Sequence, residues 1–158
     1  MILIPSLILI IFLFPIVTSS TMERWAESRQ TLELQEAVSH LGSSVQQVYY
    51  SLNHSSIQAG TLTSSLGIPL FIESYWFNGT ATMRTVLDAS LNPSKVLDVR
   101  LKIIMLDISV NTSVTLGQNV EWGNSFFQSN STHGIHASVL TAEKFSNGTV
   151  KLSFGELP

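Results

Sequence analysis

No cysteine occurs among the 158 residues. That excludes disulfide cross-links, thiolate nucleophiles and cysteine-based zinc sites. A small exported domain without disulfides must be held by its own core, by a metal or by assembly with other chains. Charge is scarce as well: Asp, Glu, Lys and Arg make up 12 % of the chain and the net charge is -3. Eight scattered Lys and Arg leave no basic stripe for a nucleic acid. Catalytic signatures are missing too. There is no glycine-rich phosphate loop, no nucleophile elbow and no HExxH. Asp88, Asp98 and Asp107 lack the spacing of a calcium loop. His133 and His136 in HGIH form a pair with no third ligand in view. These absences point to a non-enzyme that needs neither metal nor cofactor.

What the chain does have is an apolar opening, MILIPSLILIIFLFPIV, interrupted only by Pro5, Ser6 and Pro15, with no charge before Glu23. A secretory leader would begin with positive charge, yet the first Arg is Arg24. A membrane-spanning helix needs about 20 predominantly apolar residues, which residues 1–22 reach if Ser6 and the TSST cluster are tolerated. A helix that is apolar all round must be enclosed, by lipid or by protein. Three fates remain open here: a discarded leader, a membrane anchor, or an element buried against copies of itself.

The next segment continues the helix without a turn signal. Leu34, Val38, Leu41, Val45, Val48 and Leu52 step by 4, 3, 4, 3 and 4, which is a helix stripe. Gln35, Glu36, Ser39, Ser43, Gln46 and Gln47 form its wet face. Gly42 inside it costs about 1 kcal/mol relative to Ala. The reading is one long helix to about residue 52, apolar over 1–22 and amphipathic over 23–54, with Pro15 kinking it where a backbone donor is lost.

From about residue 61 the period falls to two. PLFIESYWF and TATMRTVL flank Asn78-Gly79, and IHASVLTAEKFS and TVKLSFG flank Asn147-Gly148, two hairpin signals. VLDVRLKIIMLDISV alternates and then turns apolar on both faces at Ile104, Leu106 and Ile108, as a central strand does. Six or seven strands in an antiparallel sheet or small sandwich follow, over residues 55–158. The class is α+β. Trp25, Tyr49, Tyr50, Trp76 and Trp122 read as core or interface anchors.

One motif exceeds chance. Asn-x-Ser/Thr occurs at Asn53, Asn78, Asn111, Asn130 and Asn147. With eight Asn, and Ser and Thr filling 36 positions, chance gives roughly two such triplets. None lies within the long helix, and Asn78 and Asn147 begin the two expected turns. N-linked glycans on the β-domain are therefore expected, with Asn53, which abuts the helix, the least occupied.

In architecture the whole chain resembles a mature type IV pilin, most closely the archaeal pilins and archaellins. The resemblance rests on MILIPSLILIIFLFPIV, the amphipathic continuation 23–52 and the sequon-studded β-domain. It implies a short cationic leader removed by a prepilin peptidase, which accounts for the missing positive start. It also implies insertion in the membrane before assembly, pilus assembly machinery, and a homopolymer on the cell surface used in adhesion, motility or contact. Ile4, Leu7, Leu9, Ile11, Phe12, Phe14, Pro15 and Val17 would then lie in the filament core, with the β-domains outside. Pro5 stands where the bacterial branch usually has glutamate, which favours the archaeal branch. The alternatives are a single-pass anchored surface domain or accessory part of a filament or envelope machine, and a secreted binding protein cleaved after about 20 residues.

Overall fold

A computed structural model describes the backbone of residues 3–87, 92–131 and 138–155, with side chains from residue 11 onward. It has one long N-terminal helix followed by antiparallel-rich β-sheets. The helix α1 spans Leu3–Leu52, 50 residues, and is assigned without interruption through Pro15. No further proline occurs before Pro69, and the Glu, Gln, Leu and Ala content of residues 23–52 favours the helical state. At its end the Asn53 amide still donates to the Tyr49 carbonyl at 2.8 Å.

Among the described residues eight strands follow: β1 Gly60–Ser65, β2 Asn78–Leu87, β3 Pro93–Ile103, β4 Ile108–Leu116, β5 Val120–Trp122, β6 Phe126–Gln128, β7 Val139–Lys144 and β8 Val150–Phe154. They form two four-stranded sheets, ordered β1-β7-β8-β5 and β4-β3-β2-β6. The sequence predicts six or seven: PLFIESYWF, read as a strand, carries only the Ile72–Tyr75 bridge, while Gly60–Ser65 and the three-residue β5 and β6, too short to show a period, are not singled out. One pair, β5 with β8, is parallel, with Val120 opposite Val150. All other strand pairings are antiparallel.

Two expected turns resolve differently. Asn147-Gly148 is a true hairpin connection between β7 and β8, with Gly148 at φ +84° and its amide donating to the Phe145 carbonyl at 2.9 Å. Asn78-Gly79 is not a turn. It begins β2, opposite Lys102 and Leu101 of β3 and Gln128 and Phe127 of β6. Gly79 is needed for a steric reason, because a Cβ there would lie 1.9 Å from the Phe127 ring. The turn that precedes β2 lies earlier, between the bridged residues Ile72 and Tyr75.

VLDVRLKIIMLDISV is likewise not one strand. β3 stops at Ile103, a 3₁₀ turn covers Ile104–Leu106, and Asp107 sits in the left-handed region at φ 55° before β4 begins. Lys102 Nζ and the Asp107 carboxylate close that turn at 2.5 Å. Ile104 and Met105 are exposed at its tip, so their apolar character is not that of a central strand.

The core joins helix and sheets. Leu34, Val38, Leu41, Val45, Val48 and Leu52 are all buried, while the six residues of the wet face are exposed. The helix lies chiefly on β4. Gly42 is the point of closest approach, since a Cβ there would meet Val114 Cγ2 at 3.0 Å and Thr112 Cγ2 at 3.2 Å. One aromatic pair crosses between the sheets, Phe127 of β6 against Phe154 of β8 at 4.7 Å; within the sheet of β8, Trp122 of β5 meets Phe154 at 5.0 Å, both pairs edge to face.

The solvent face of β2, β3 and β4 is polar. Arg84 Nε donates to Asp98 Oδ2 at 2.6 Å and Ser113 Oγ to Asp98 Oδ1 at 2.5 Å, across three strands. The hydrogen bond from Arg84, then that from Ser113, holds the Asp98 carboxyl below its ordinary value of 3.8. As pH falls, the unfolded chain takes up that proton before the folded one does. The contribution is therefore present above about pH 4 and is lost on further acidification. Solvent screening keeps the contribution of so exposed a pair small. Asp98→Asn should melt slightly below wild type at pH 7, and the gap should narrow as pH falls below about 4; a gap independent of pH would assign the loss to packing instead.

Candidate assembly surface and acceptor asparagines

The helix divides sharply at Gln30. From residue 11 to 29 every side chain is exposed apart from the half-buried Ala26, a stretch of about 28 Å at 1.5 Å per residue. Ile11, Phe12, Leu13, Phe14, Ile16 and Val17 are each 49–70 % exposed, and Met22 is similar. Water-exposed apolar surface of this extent and continuity marks an interaction site. Within it the hydroxyls are already satisfied. Thr18 donates to the Phe14 carbonyl at 2.7 Å, Ser19 to Ile16 at 3.1 Å, and Ser20 and Thr21 to Val17 at 3.0 and 2.8 Å. The TSST cluster thus demands no outside partner and can enter an apolar environment at small cost. Pro15 leaves the Ile11 carbonyl without its usual donor.

Among the described residues no helix is long and apolar enough to cross a membrane. The side chains of Ile4, Leu7 and Leu9, three of the eight expected core residues, lie outside the described residues, as do His133, His136 and Asp88. No group of three or more metal-type ligands occurs among the described residues.

Where the helix enters the domain, a loop grips it. Gln30, largely buried, donates through Nε2 to Glu73 Oε2 at 2.7 Å. Arg29 lies 3.4 Å from Glu33 and 3.8 Å from Glu73. Glu73 reaches both from a left-handed backbone at φ 54°, a conformation that costs a non-glycine residue and is kept where surroundings enforce it. Sequence periodicity gave no hint of this clasp, because it depends on one side chain 43 residues from its partner.

The aromatic residues separate. Tyr49 is buried, and burial pushes its phenol above the ordinary value of 10.0 although the Gly117 amide bonds it. Trp76 and Trp122 are half-buried. Trp25 and Tyr50 are exposed, at 67 and 57 %, and belong to no core.

The five acceptor asparagines are not equivalent. Asn53, Asn111, Asn130 and Asn147 are exposed. Asn111 lies on β4, an edge strand, opposite Arg100. Asn53 donates through Nδ2 to the Tyr49 hydroxyl at 3.1 Å, and one amide hydrogen remains on that nitrogen after glycan attachment. Asn78 is different, because it is half-buried inside a sheet and its Oδ1 is buried without a hydrogen-bond partner among the described residues. The expectation that Asn53 is the poorest acceptor is therefore revised in favour of Asn78. Site-resolved mass spectrometry of native protein should find Asn147 and Asn111 most occupied and Asn78 bare. Asn78 as the most heavily modified site would contradict the burial argument.

The chain matches no protein-family model, no curated protein and no solved structure.

Proposed function

We propose that this chain is the structural subunit of an extracellular filament of the type IV pilus kind. It polymerises through its N-terminal helix, carries its β-domain on the filament surface and has no catalytic role. The observation that carries the reading is the split helix. Its C-terminal half is consumed by the domain, while Ile11–Val17 present large apolar side chains on every side. Exposed apolar area is unfavourable by about 25 cal/mol per Å². The run Ile11–Val17 has no polar face, and the hydroxyls of the TSST cluster that follows are internally bonded. Parallel copies side by side remove that surface.

The proposal extends to N-linked glycans on the exposed acceptors, to a membrane-inserted state before assembly, and to a prepilin peptidase and assembly machinery as partners. The competing reading is a single-pass anchored surface domain with the same helix kept in lipid. Negative-stain microscopy of the sheared cell-surface fraction, with mass spectrometry of what is sheared, separates them. The filament reading requires filaments composed of this chain. Recovery of the chain solely in the membrane pellet would favour the anchor.

A further inference from the structure

Trp25 lies outside the core of its own chain. It is two-thirds exposed on the projecting helix, with Arg24 beside it and the Arg29 guanidinium 5.6 Å above its ring. Higher on the same helix, a groove of about 310 Å³ opens between α1 and the segment before the Ile72 bridge. Its floor and outer wall are apolar, from Ile68, Pro69 and Phe71, and Glu33, Glu36 and His40 form its helical rim. Phe71 is half exposed there.

We propose that this groove receives Trp25 of a neighbouring copy, with Arg24 beside that Trp meeting Glu36 on the rim. The inference rests on the filament reading and names its lateral contact. Polarity and charge both match: with Glu33 held by its own chain's Arg29, an exposed aromatic next to Arg24 faces an apolar slot edged by Glu36. Aromatic and Arg residues seated in such pockets dominate interface energetics. The hole is centred about 12 residues above the knob, so neighbouring helices are offset by about 18 Å along their axes. At about 100° per residue the groove also lies about 70° round the helix from Trp25. Knob and hole thus occupy different patches, which makes the contact heterologous. A heterologous contact whose rotation does not close generates a filament and not a ring.

The cysteine-free chain makes the test direct. In full-length Arg24→Cys/Pro69→Cys, a bond within one chain is excluded, since Arg24 is roughly 13 Å along the axis below Glu33, and a disulfide needs Cα atoms closer than about 7 Å. Oxidised filaments should give a ladder of dimers, trimers and higher species on a non-reducing gel, whereas each single-cysteine variant should stop at dimers. Trp25→Ala should lower filament yield at least tenfold, with Trp25→Phe recovering most of it. Both should melt like wild type, because Trp25 is outside the core. Filaments that form normally in Trp25→Ala and show no ladder in the double variant would overturn this contact and leave the filament reading standing. Absence of filaments from the wild-type chain would overturn both.

Discussion

Ile11→Asp should abolish filaments while leaving the melting temperature of the β-domain unchanged. Ile11 is 59 % exposed and remote from the core, which begins at Leu34. The domain therefore has nothing to lose from the substitution. Among packed parallel helices the same position is dry. A carboxylate there has no cationic partner on the run between Ile11 and Met22, which carries no charged residue. Burying an unpaired ion costs several kcal/mol even after local relaxation, and the cost recurs at every subunit. Electron microscopy counts the filaments, and circular dichroism follows the melt. Normal filament number and length from Ile11→Asp would leave the helix in lipid or solvent and promote the anchored-domain reading.

Leu41→Ala should produce the largest loss of domain stability. Leu41 is fully buried, one position before Gly42 and its close contact with Thr112 and Val114 on β4. Leu→Ala at such sites costs about 2–5 kcal/mol, through lost transfer energy plus the cavity left behind. For a chain of about 150 residues each kcal/mol lowers the melting temperature by about 2–4 °C, so a fall of roughly 4–20 °C is expected. Leu52→Ala, at the last residue of α1 and slightly less buried, should cost less. An unchanged melt for Leu41→Ala would mean that helix and sheet are not packed together in solution.

The helix stripe was legible in the sequence because a single amphipathic element encodes its own burial: the 4, 3, 4, 3, 4 spacing from Leu34 to Leu52 depends on no distant residue. The Asn147-Gly148 turn was legible for the same local reason. Asn78-Gly79 carried an identical dipeptide and was misread. There the glycine answers to Phe127, 48 residues away in sequence, and only the assembled sheet reveals that contact. The break after Ile103 was hidden because Ile104 and Met105 look like core residues, although they sit exposed on a turn. The candidate assembly surface was half legible. Its apolar run is plain in the sequence, whereas the Glu73 clasp and the groove above Trp25 arise from tertiary juxtaposition, which periodicity does not report.

Burial of the N-terminal helix against copies of itself is tested most directly by an electron cryomicroscopy reconstruction of the filaments sheared from cells that make this chain. The proposed assembly requires a central bundle of parallel helices whose density fits residues 11–22, with no lumen wide enough for water around them and the β-domains outside. A filament in which those residues lie at the outer surface, or a preparation in which the chain is recovered from membranes and no filament contains it, would contradict that burial.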